Sequence, residues 1–320
     1  MRVGIIGAGL IGKALYERVN SLGWTVDFVL KRDGLYGNLT DRIDAAQHYP
    51  VYLYRLDACF LAISTKDNGE AAYEYMTKLL NNEIPVVTCE KGALANYFPE
   101  LERKLGHVGY NASVGGGTQM LSYVESHLPY KTEELHAVIN GTLNYLFDTL
   151  AGRTLEDALA EAQREGYTEP GVTRPLTAIN AEACYDIPRK TAILFNTARL
   201  CRERVRAKDF LCKPITAKEL ARLEREASFR RYVVSFTKSA CREDVLAGFQ
   251  HRVGDWTISA GFKNIYDQPI LQRFLPTGCN NALLIKDASG IYTLTGPGAG
   301  PGPTVSAMIN DALKLYTLHL

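Results

Sequence analysis

Val3-Gly4-Ile5-Ile6-Gly7-Ala8-Gly9-Leu10-Ile11-Gly12 stands almost at the start of the chain, and its reading decides the fold of the first half. Residues 3–6 make a short apolar strand. Three glycines follow at G-x-G-x-x-G spacing, and the next stretch carries Leu15, Val19 and Leu22 on one helical face until Gly23 stops it. Residues 25–30 form the next strand. A strand before the glycines and a helix after them is the setting in which this motif binds a dinucleotide. Gly7 permits the tight turn, Gly9 lets backbone approach a pyrophosphate, and Gly12 lets the helix pack close. The phosphates then sit on the helix N-terminus, at Leu10 and Ile11.

The end of the second strand selects the cofactor. Lys31 and Arg32 occupy the place where a ribose-binding acid often stands, and two cations there suit a 2′-phosphate. NADP is therefore expected, with NAD as the alternative; Asp33 is close enough to reach ribose hydroxyls. Residues 34–55 are poorly patterned and read as loops with a short helix. Residues 56–63 are a buried strand with Ser64 and Thr65 at its carboxyl end, the edge where ligands bind in such sheets. A helix over 68–80 and a strand over 84–88 lead to Cys89-Glu90-Lys91-Gly92, so Lys91 projects from a strand end into the same crevice.

The second half is built differently. Asn111-Ala112-Ser113-Val114-Gly115-Gly116-Gly117-Thr118 calls for close backbone approach. Residues 135–139 read as a strand that runs into Asn140-Gly141-Thr142-Leu143-Asn144-Tyr145, a turn opening a helix. Thr154-Leu155-Glu156-Asp157 resembles a capping box, with Gly166 ending its helix. Helices are expected at about 188–204 and from Thr216 to about 227, then alternation in period two over 231–295 predicts several strands of an open sheet. Strands, then helices, then strands argue for an α+β layer. The Gly/Pro run from Gly296 through Pro303 reads as a ligand-covering loop, after which Val305, Met308, Ile309 and Ala312 mark the apolar face of a helix returning to the first domain. The expected division is 1–112, 113–295 and 296–320.

Asp186 and Lys190 are four apart and share a helical face. Pro188 lacks an N–H and fits only the first turn of a helix, so the helix is expected to begin at about Asp186. Lys190 then lies where the positive helix end disfavours an ammonium. Such a lysine beside a carboxylate suits proton transfer; taken alone, the pair reads as a surface ion pair.

Composition excludes other classes. The chain has 320 residues, 46% hydrophobic and 22% charged, with net charge +1 and no long run of one sign. Nucleic acid and anionic membrane are not expected partners. No apolar run approaches membrane-spanning length, and the chain opens on a strand rather than a signal peptide. Seven cysteines without a Cys-x-x-Cys pair fit reduced thiols in a cytoplasmic protein. The six histidines lack metal-ligand spacing, and no metal is expected.

Together these fragments resemble the homoserine dehydrogenase family over nearly the whole chain. They are the glycine fingerprint, Val86-Val87-Thr88-Cys89-Glu90-Lys91, Ser113-Val114-Gly115-Gly116-Gly117, Asn140-Gly141-Thr142-Leu143-Asn144-Tyr145, Glu161-Ala162-Gln163-Arg164-Glu165-Gly166-Tyr167-Thr168-Glu169-Pro170, Asp186-Ile187-Pro188-Arg189-Lys190, and Gly296-Pro297-Gly298-Ala299-Gly300 with Pro303-Thr304. The resemblance implies a Rossmann-type doubly wound sheet, an α+β substrate and dimerisation domain with an open sheet, and a homodimer. It implies NAD(P)-dependent interconversion of L-homoserine and L-aspartate 4-semialdehyde, a step of threonine and methionine biosynthesis, in a short form without an appended regulatory domain. Lys190 matches the catalytic lysine, Asp186 and Lys91 its polar partners, and Glu169 the carboxylate for the substrate ammonium. Gly141, Thr142 and Tyr167 match substrate contacts, and Gly298 lies by the nicotinamide. Departures cluster before Asp186. Glu169-Pro170 is followed by Gly171-Val172-Thr173-Arg174, Asp186 arrives several residues late, and Glu182 stands in for an intermediate aspartate. Glu90, Asn111 and Gln119 replace the family's asparagine, cation-site glutamate and proline. The altered loop leaves open a relative acting on another short hydroxy or amino acid; a third reading, a non-catalytic cofactor-binding protein that kept the fold, is opposed by the retention of both Lys91 and Lys190.

Overall fold

The computed structural model describes residues 1–127, 131–150, 152–168, 172–238, 246–267 and 269–318. The chain divides into two compact units, Met1–Ser113 with Pro301–Leu320, and Val114–Gly300.

In the first unit the elements are β1 (Arg2–Ile6), α1 (Leu10–Ser21), β2 (Thr25–Lys31), β3 (Gly34–Tyr36), β4 (Arg42–Asp44), β5 (Ala58–Leu61), α2 (Glu70–Asn81), β6 (Val86–Thr88), α3 (Gly92–Leu101) and β7 (Val108–Gly109). The strand order is β4-β3-β2-β1-β5-β6-β7. Strands β2, β1, β5, β6 and β7 are parallel, whereas β3 and β4 are antiparallel additions at one edge. Parallel strands are covered on both faces, which is why they read as unbroken apolar runs such as Ala58-Cys59-Phe60-Leu61, all buried. Order reverses at β1, with β2 on one side and β5 on the other, so the ligand crevice lies beyond the carboxyl end of β1.

Two expectations need correction in this unit. Residues 34–55 are not only loops and a helix. Lys31 pairs with Gly34 in a tight hairpin, and β3 and β4 are short strands that period-two patterning is too brief to reveal. Residues 296–300 group with the second unit rather than with the terminal segment, because Gly296 and Pro297 end a strand there.

The last helix, Pro301–Leu318, does return to the first unit. Val305, Met308, Ile309, Ala312 and Leu315 join Val3, Ile5, Leu15, Val19 and Phe60 in one core. Its Asp311, buried to 4% exposure, accepts from the Asn111 backbone N–H at 2.9 Å and from Asn111 Nδ2 at 2.6 Å. Asn111 is thus committed to anchoring this helix.

The second unit contains α4 (Met120–Ser126), β8 (Thr132–Val138), α5 (Gly141–Asp148), α6 (Leu155–Arg164), α7 (Pro175–Ala181), α8 (Ile187–Ala198), α9 (Ala217–Arg225), β9 (Arg230–Thr237), β10 (Leu246–Val253), β11 (Trp256–Asn264), β12 (Asn280–Asp287) and β13 (Gly290–Pro297). Its strands are antiparallel in the order β10-β11-β9-β8-β12-β13. Register places Leu135, Phe236 and Ile258 on one face, and His136, Ser235 and Ser259 on the other. Helices cover the first face, with Phe147 of α5 on Phe262 at 4.4 Å between centroids and Phe195 of α8 edge-on to Phe236. Thr154 caps α6 by accepting from the Asp157 N–H, and Thr216 with Glu219 closes a full capping box on α9.

The helix expected to start at about Asp186 starts at Pro175 instead. α7 and α8 run into one another through a π-helical turn, Glu182–Asp186, in which the Ile187 N–H reaches the Glu182 carbonyl. Pro188 cannot donate to the Cys184 carbonyl and its ring crowds that oxygen; one wide turn relieves both problems without ending the helix. Lys190 therefore stands inside a long helix, and the reasoning from a helix N-terminus does not apply to it.

Candidate active site

The glycine turn in the first unit has the shape of a pyrophosphate cradle. The Gly7 N–H donates to the Leu30 carbonyl at 2.9 Å, and its φ of +101° belongs to glycine. A Cβ on Gly12 would stand 1.9 Å from the Gly7 carbonyl oxygen, so α1 can approach β1 only with glycine there. At Gly9 a Cβ would meet nothing within 4 Å: the turn is open on that side. Gly9 is also the N-cap of α1, no side chain caps it, and Leu10 is exposed, which leaves a helix N-terminus able to receive an anion.

At the end of β2, Arg32 is exposed, but Lys31 is turned away onto the Leu39 carbonyl and lies 3.9 Å from the centroid of the Tyr36 ring. Asp33 accepts from the Tyr36 hydroxyl at 2.9 Å, which holds its carboxyl below the usual range. At the end of β5, Ser64 is exposed, while Thr65 donates to Glu90 Oε1. Glu90 is buried and accepts the Gly92 and Ala93 N–H groups at 2.6 and 2.9 Å, capping α3. That carboxylate fixes the turn on which Lys91 sits, partly buried.

In the second unit Asp186 and Lys190 are not a surface pair. Lys190 is 9% exposed; its Nζ lies 2.7 Å from Asp186 Oδ2 and donates to the Ile139 carbonyl at 2.9 Å. Asn140, buried between β8 and α5, ties this pair down. Its Oδ1 accepts the Leu143 N–H as N-cap of α5, and its Nδ2 donates to Glu182 Oε2 at 2.6 Å and to Asp186 Oδ2 at 3.0 Å. One asparagine thus couples the start of α5 to two successive turns of the α7–α8 helix. The ammonium is held in a fixed position by a carboxylate and a backbone carbonyl, as a group that delivers a proton to a defined atom requires.

Thr142, on the first turn of α5, donates to the Tyr167 carbonyl at 2.6 Å. The Tyr167 hydroxyl is raised above its ordinary range, first by its electrostatic interaction with Cys279 and then by their hydrogen bond. A Cβ on Gly141 would stand 2.5 Å from the Cys279 carbonyl oxygen, so α5 begins hard against the segment before β12. Gly298 is packed as tightly: a Cβ there would meet the Asn281 side chain at 2.4 Å. Gln119, expected from the resemblance to replace a proline, takes a φ of +55° that proline cannot adopt. Glu169 lies outside the described residues.

In the sequence Asn140 is legible only as the first residue of a turn. An asparagine just before a helix start is an N-cap signal, but its bonds to Glu182 and Asp186 span more than forty residues and leave no local trace. Among the described residues no group of three or more His, Cys, Asp and Glu is placed to hold a metal ion, and no helix is long and apolar enough to cross a membrane.

A doubly wound parallel sheet with a dinucleotide cradle, joined to an open-sheet α+β unit with a buried lysine, defines a class of two-domain nucleotide-binding proteins. Within it, this chain belongs to the homoserine dehydrogenase family, whose model matches residues 122–313. The Synechocystis homoserine dehydrogenase is 26% identical over 257 residues, which cover 77% of this chain and 55% of that protein; the chain therefore spans only about half the length of that relative. The homoserine dehydrogenase of Saccharomyces cerevisiae is 23% identical over 359 residues, covering 98% of each. Among solved structures, a hyperthermophilic archaeal homoserine dehydrogenase in complex with NADPH aligns over 100% of this chain and 98% of its own, with a TM-score of 0.70 at 20% identity. That likeness establishes the fold.

Proposed function

We propose that this protein interconverts L-homoserine and L-aspartate 4-semialdehyde with NADP. The observation that carries the proposal is the buried Lys190–Asp186–Asn140 network, which lies within the segment that the family model matches. Bound NADP supplies or takes up the hydride at the substrate's reacting carbon. Gly7, Gly9, Leu10, Ile11 and Gly12 hold its pyrophosphate, Arg32 its 2′-phosphate, and Ser64 and Thr65 line its remaining length. A phosphate at Arg32 agrees with the NADPH bound by the archaeal relative.

The residues of the chain handle charge and protons. Lys190 Nζ donates a proton to the carbonyl oxygen of the semialdehyde as charge develops there, and takes it back from the homoserine hydroxyl in the reverse direction. Asp186 and the Ile139 carbonyl aim the ammonium, and Asn140 holds Asp186 against it. The family resemblance adds Lys91 as a further polar partner in the reaction. Glu169 takes the substrate ammonium, while Gly141, Thr142 and Tyr167 shape its binding surface. The protein acts as a cytoplasmic homodimer formed through the substrate unit, in the pathway to threonine and methionine.

A second reading, a paralogue acting on another short hydroxy or amino acid, draws on the additional helix α7 and π-turn between Val172 and Asp186, where the family has a short loop. Purified protein with NADP and a panel of hydroxy acids separates the two. Homoserine-dependent formation of reduced nicotinamide is expected. Cofactor binding without such turnover refutes the first reading, and preferential turnover of another hydroxy acid establishes the second.

A further inference from the structure

Cys184 and Cys212 meet inside the second unit with their sulfurs 2.7 Å apart, both as free thiols and both half-buried. The proposed chemistry uses neither residue. The contact is built rather than accidental. Cys184 lies in the π-turn, between Glu182 and Asp186. Asn180, one helical turn earlier, accepts the Ile215 N–H at 2.9 Å and donates to the Ile215 carbonyl at 3.1 Å. The loop carrying Cys212 is fixed on its other side where the Lys213 N–H reaches the Gly248 carbonyl of β10. Asn180 and Cys184 are four apart, so the same helical face presents an amide clamp and a thiol to one loop.

The geometry points to Cys184 and Cys212 as a thiol–disulfide exchange site that takes a low-molecular-weight disulfide such as oxidised glutathione and closes into an intramolecular disulfide tethering the π-turn. A disulfide bond is about 2.04 Å long, so closure brings the two sulfurs together by less than about 1 Å. Entry is from the exposed side, where Leu211, Lys213 and Tyr185 reach solvent. Burial, and then the hydrogen bond to Cys184, push the Cys212 thiol far above its ordinary range. In the proposed order Cys184 reacts first. The Cys184 thiolate attacks one sulfur of the reagent, whose S–S bond breaks and releases one thiolate. Cys212 then gives up its proton and attacks the Cys184 sulfur of the mixed disulfide, releasing the second thiolate. Two protein thiols are oxidised and one external disulfide is reduced to two thiols.

The tether closes on the turn whose Glu182 and Asp186 accept from Asn140, so oxidation stiffens the stretch that holds Lys190. This inference does not depend on the proposed reaction, and its test needs no substrate. The full chain is equilibrated in glutathione buffers of rising oxidised fraction, quenched by alkylation and mapped by mass spectrometry. The expected result is a Cys184–Cys212 cross-linked peptide at ratios that leave Cys59 and Cys89 as thiols, reversed by dithiothreitol. Cys59 is buried and the Cys89 thiol is pushed up to about 11 by burial, so both are slower to react. C212S is expected to trap the Cys184–glutathione mixed disulfide instead, and C184S to give neither product. Amide hydrogen exchange over 182–190 is expected to slow in the oxidised protein. Absence of the cross-linked peptide at every ratio, its appearance only together with cross-links of other cysteines, or unchanged exchange over 182–190 overturns the proposal.

Discussion

Replacing Lys190 with alanine tests the proposed chemistry most directly. The residue is 9% exposed, and its Nζ is 2.7 Å from Asp186 Oδ2 and 2.9 Å from the Ile139 oxygen. A positioned proton donor contributes roughly 10²–10⁴-fold to a rate, or about 3–5 kcal/mol of barrier. The cost in stability is smaller. Breaking a fully buried ion pair costs about 3–5 kcal/mol because it strands a charge. Here the surviving Asp186 side chain is 21% exposed and keeps the Asn140 donor at 3.0 Å. That reduces the expected loss to about 1–2 kcal/mol. The assay follows oxidation of the reduced cofactor with semialdehyde and, separately, dinucleotide affinity by fluorescence. The cradle belongs to the other unit, so affinity should hold while kcat and kcat/KM fall together by at least about a hundredfold. Turnover within about tenfold of the parent, with cofactor affinity intact, would show that Lys190 is not the proton donor.

The other expectations rest on separate parts of the molecule. N140D keeps the cap on α5 but turns an amide donor into a third carboxylate facing Glu182 and Asp186; kcat should fall by roughly tenfold or more, and a parent-like kcat would refute the role given to Asn140. R32S should raise KM for NADP several-fold and leave KM for NAD unchanged, a split that a merely solvated arginine would not produce. Glu134 is held down to about 2 by its hydrogen bond to His136 and then by Lys286, against an ordinary value of 4.5. A depressed carboxyl stabilises the fold above its unfolded value and loses that contribution as pH falls through the folded one. E134Q should therefore cost stability at neutral pH, about 1 kcal/mol once solvent screening of this half-buried group is allowed for, and progressively less from about pH 4.5 towards pH 2; denaturant unfolding that shows a growing deficit on acidification contradicts this. G141A drives a methyl to 2.5 Å from the Cys279 carbonyl oxygen and should lower unfolding free energy by about 1–3 kcal/mol; unchanged stability would mean that the start of α5 can shift.

The parts of the fold that were legible in the sequence are those whose cause is local. The glycine turn needs glycine for steric reasons confined to a few neighbouring residues, and residues 2–31 show their elements in the spacing of Val3, Leu15, Val19 and Val29, all fully buried. The terminal helix showed its docking face because Val305, Met308, Ile309 and Ala312 recur at helical period and meet one core. Strands β3 and β4, of three residues each, are too short for a period to register. Lys31 marks another limit. Its position at the end of β2 is readable, but its direction is set by a hairpin that brings Leu39 and Tyr36 to it, and strands this short give that hairpin no periodic signal. Asn140 exceeds what spacing can report for the same reason, since its carboxylate partners belong to helix turns far along the chain.

Pro188 shows how a sound local rule can place a boundary wrongly. The rule says that proline belongs at a helix start because an interior proline lacks a donor and crowds the carbonyl one turn back. Both objections concern α-helical geometry. A π-turn moves the hydrogen-bonding partner one residue further, so the Ile187 N–H bonds to Glu182 and the Cys184 carbonyl is released from its proline. The signal that overrides the rule was present upstream. Pro175 is suited to a helix start, and Ile179, Ala183 and Ile187 recur at four-residue intervals, all buried. An apolar stripe that continues through a proline indicates a helix that continues through it. The consequence is functional as well as geometrical. The wide turn inserts one residue between α7 and α8, sets Glu182 and Asp186 on the same asparagine, and leaves Cys184 facing the loop of Cys212. The turn that a proline rule would have broken is thus the one that brings Glu182 and Asp186 together beside Lys190.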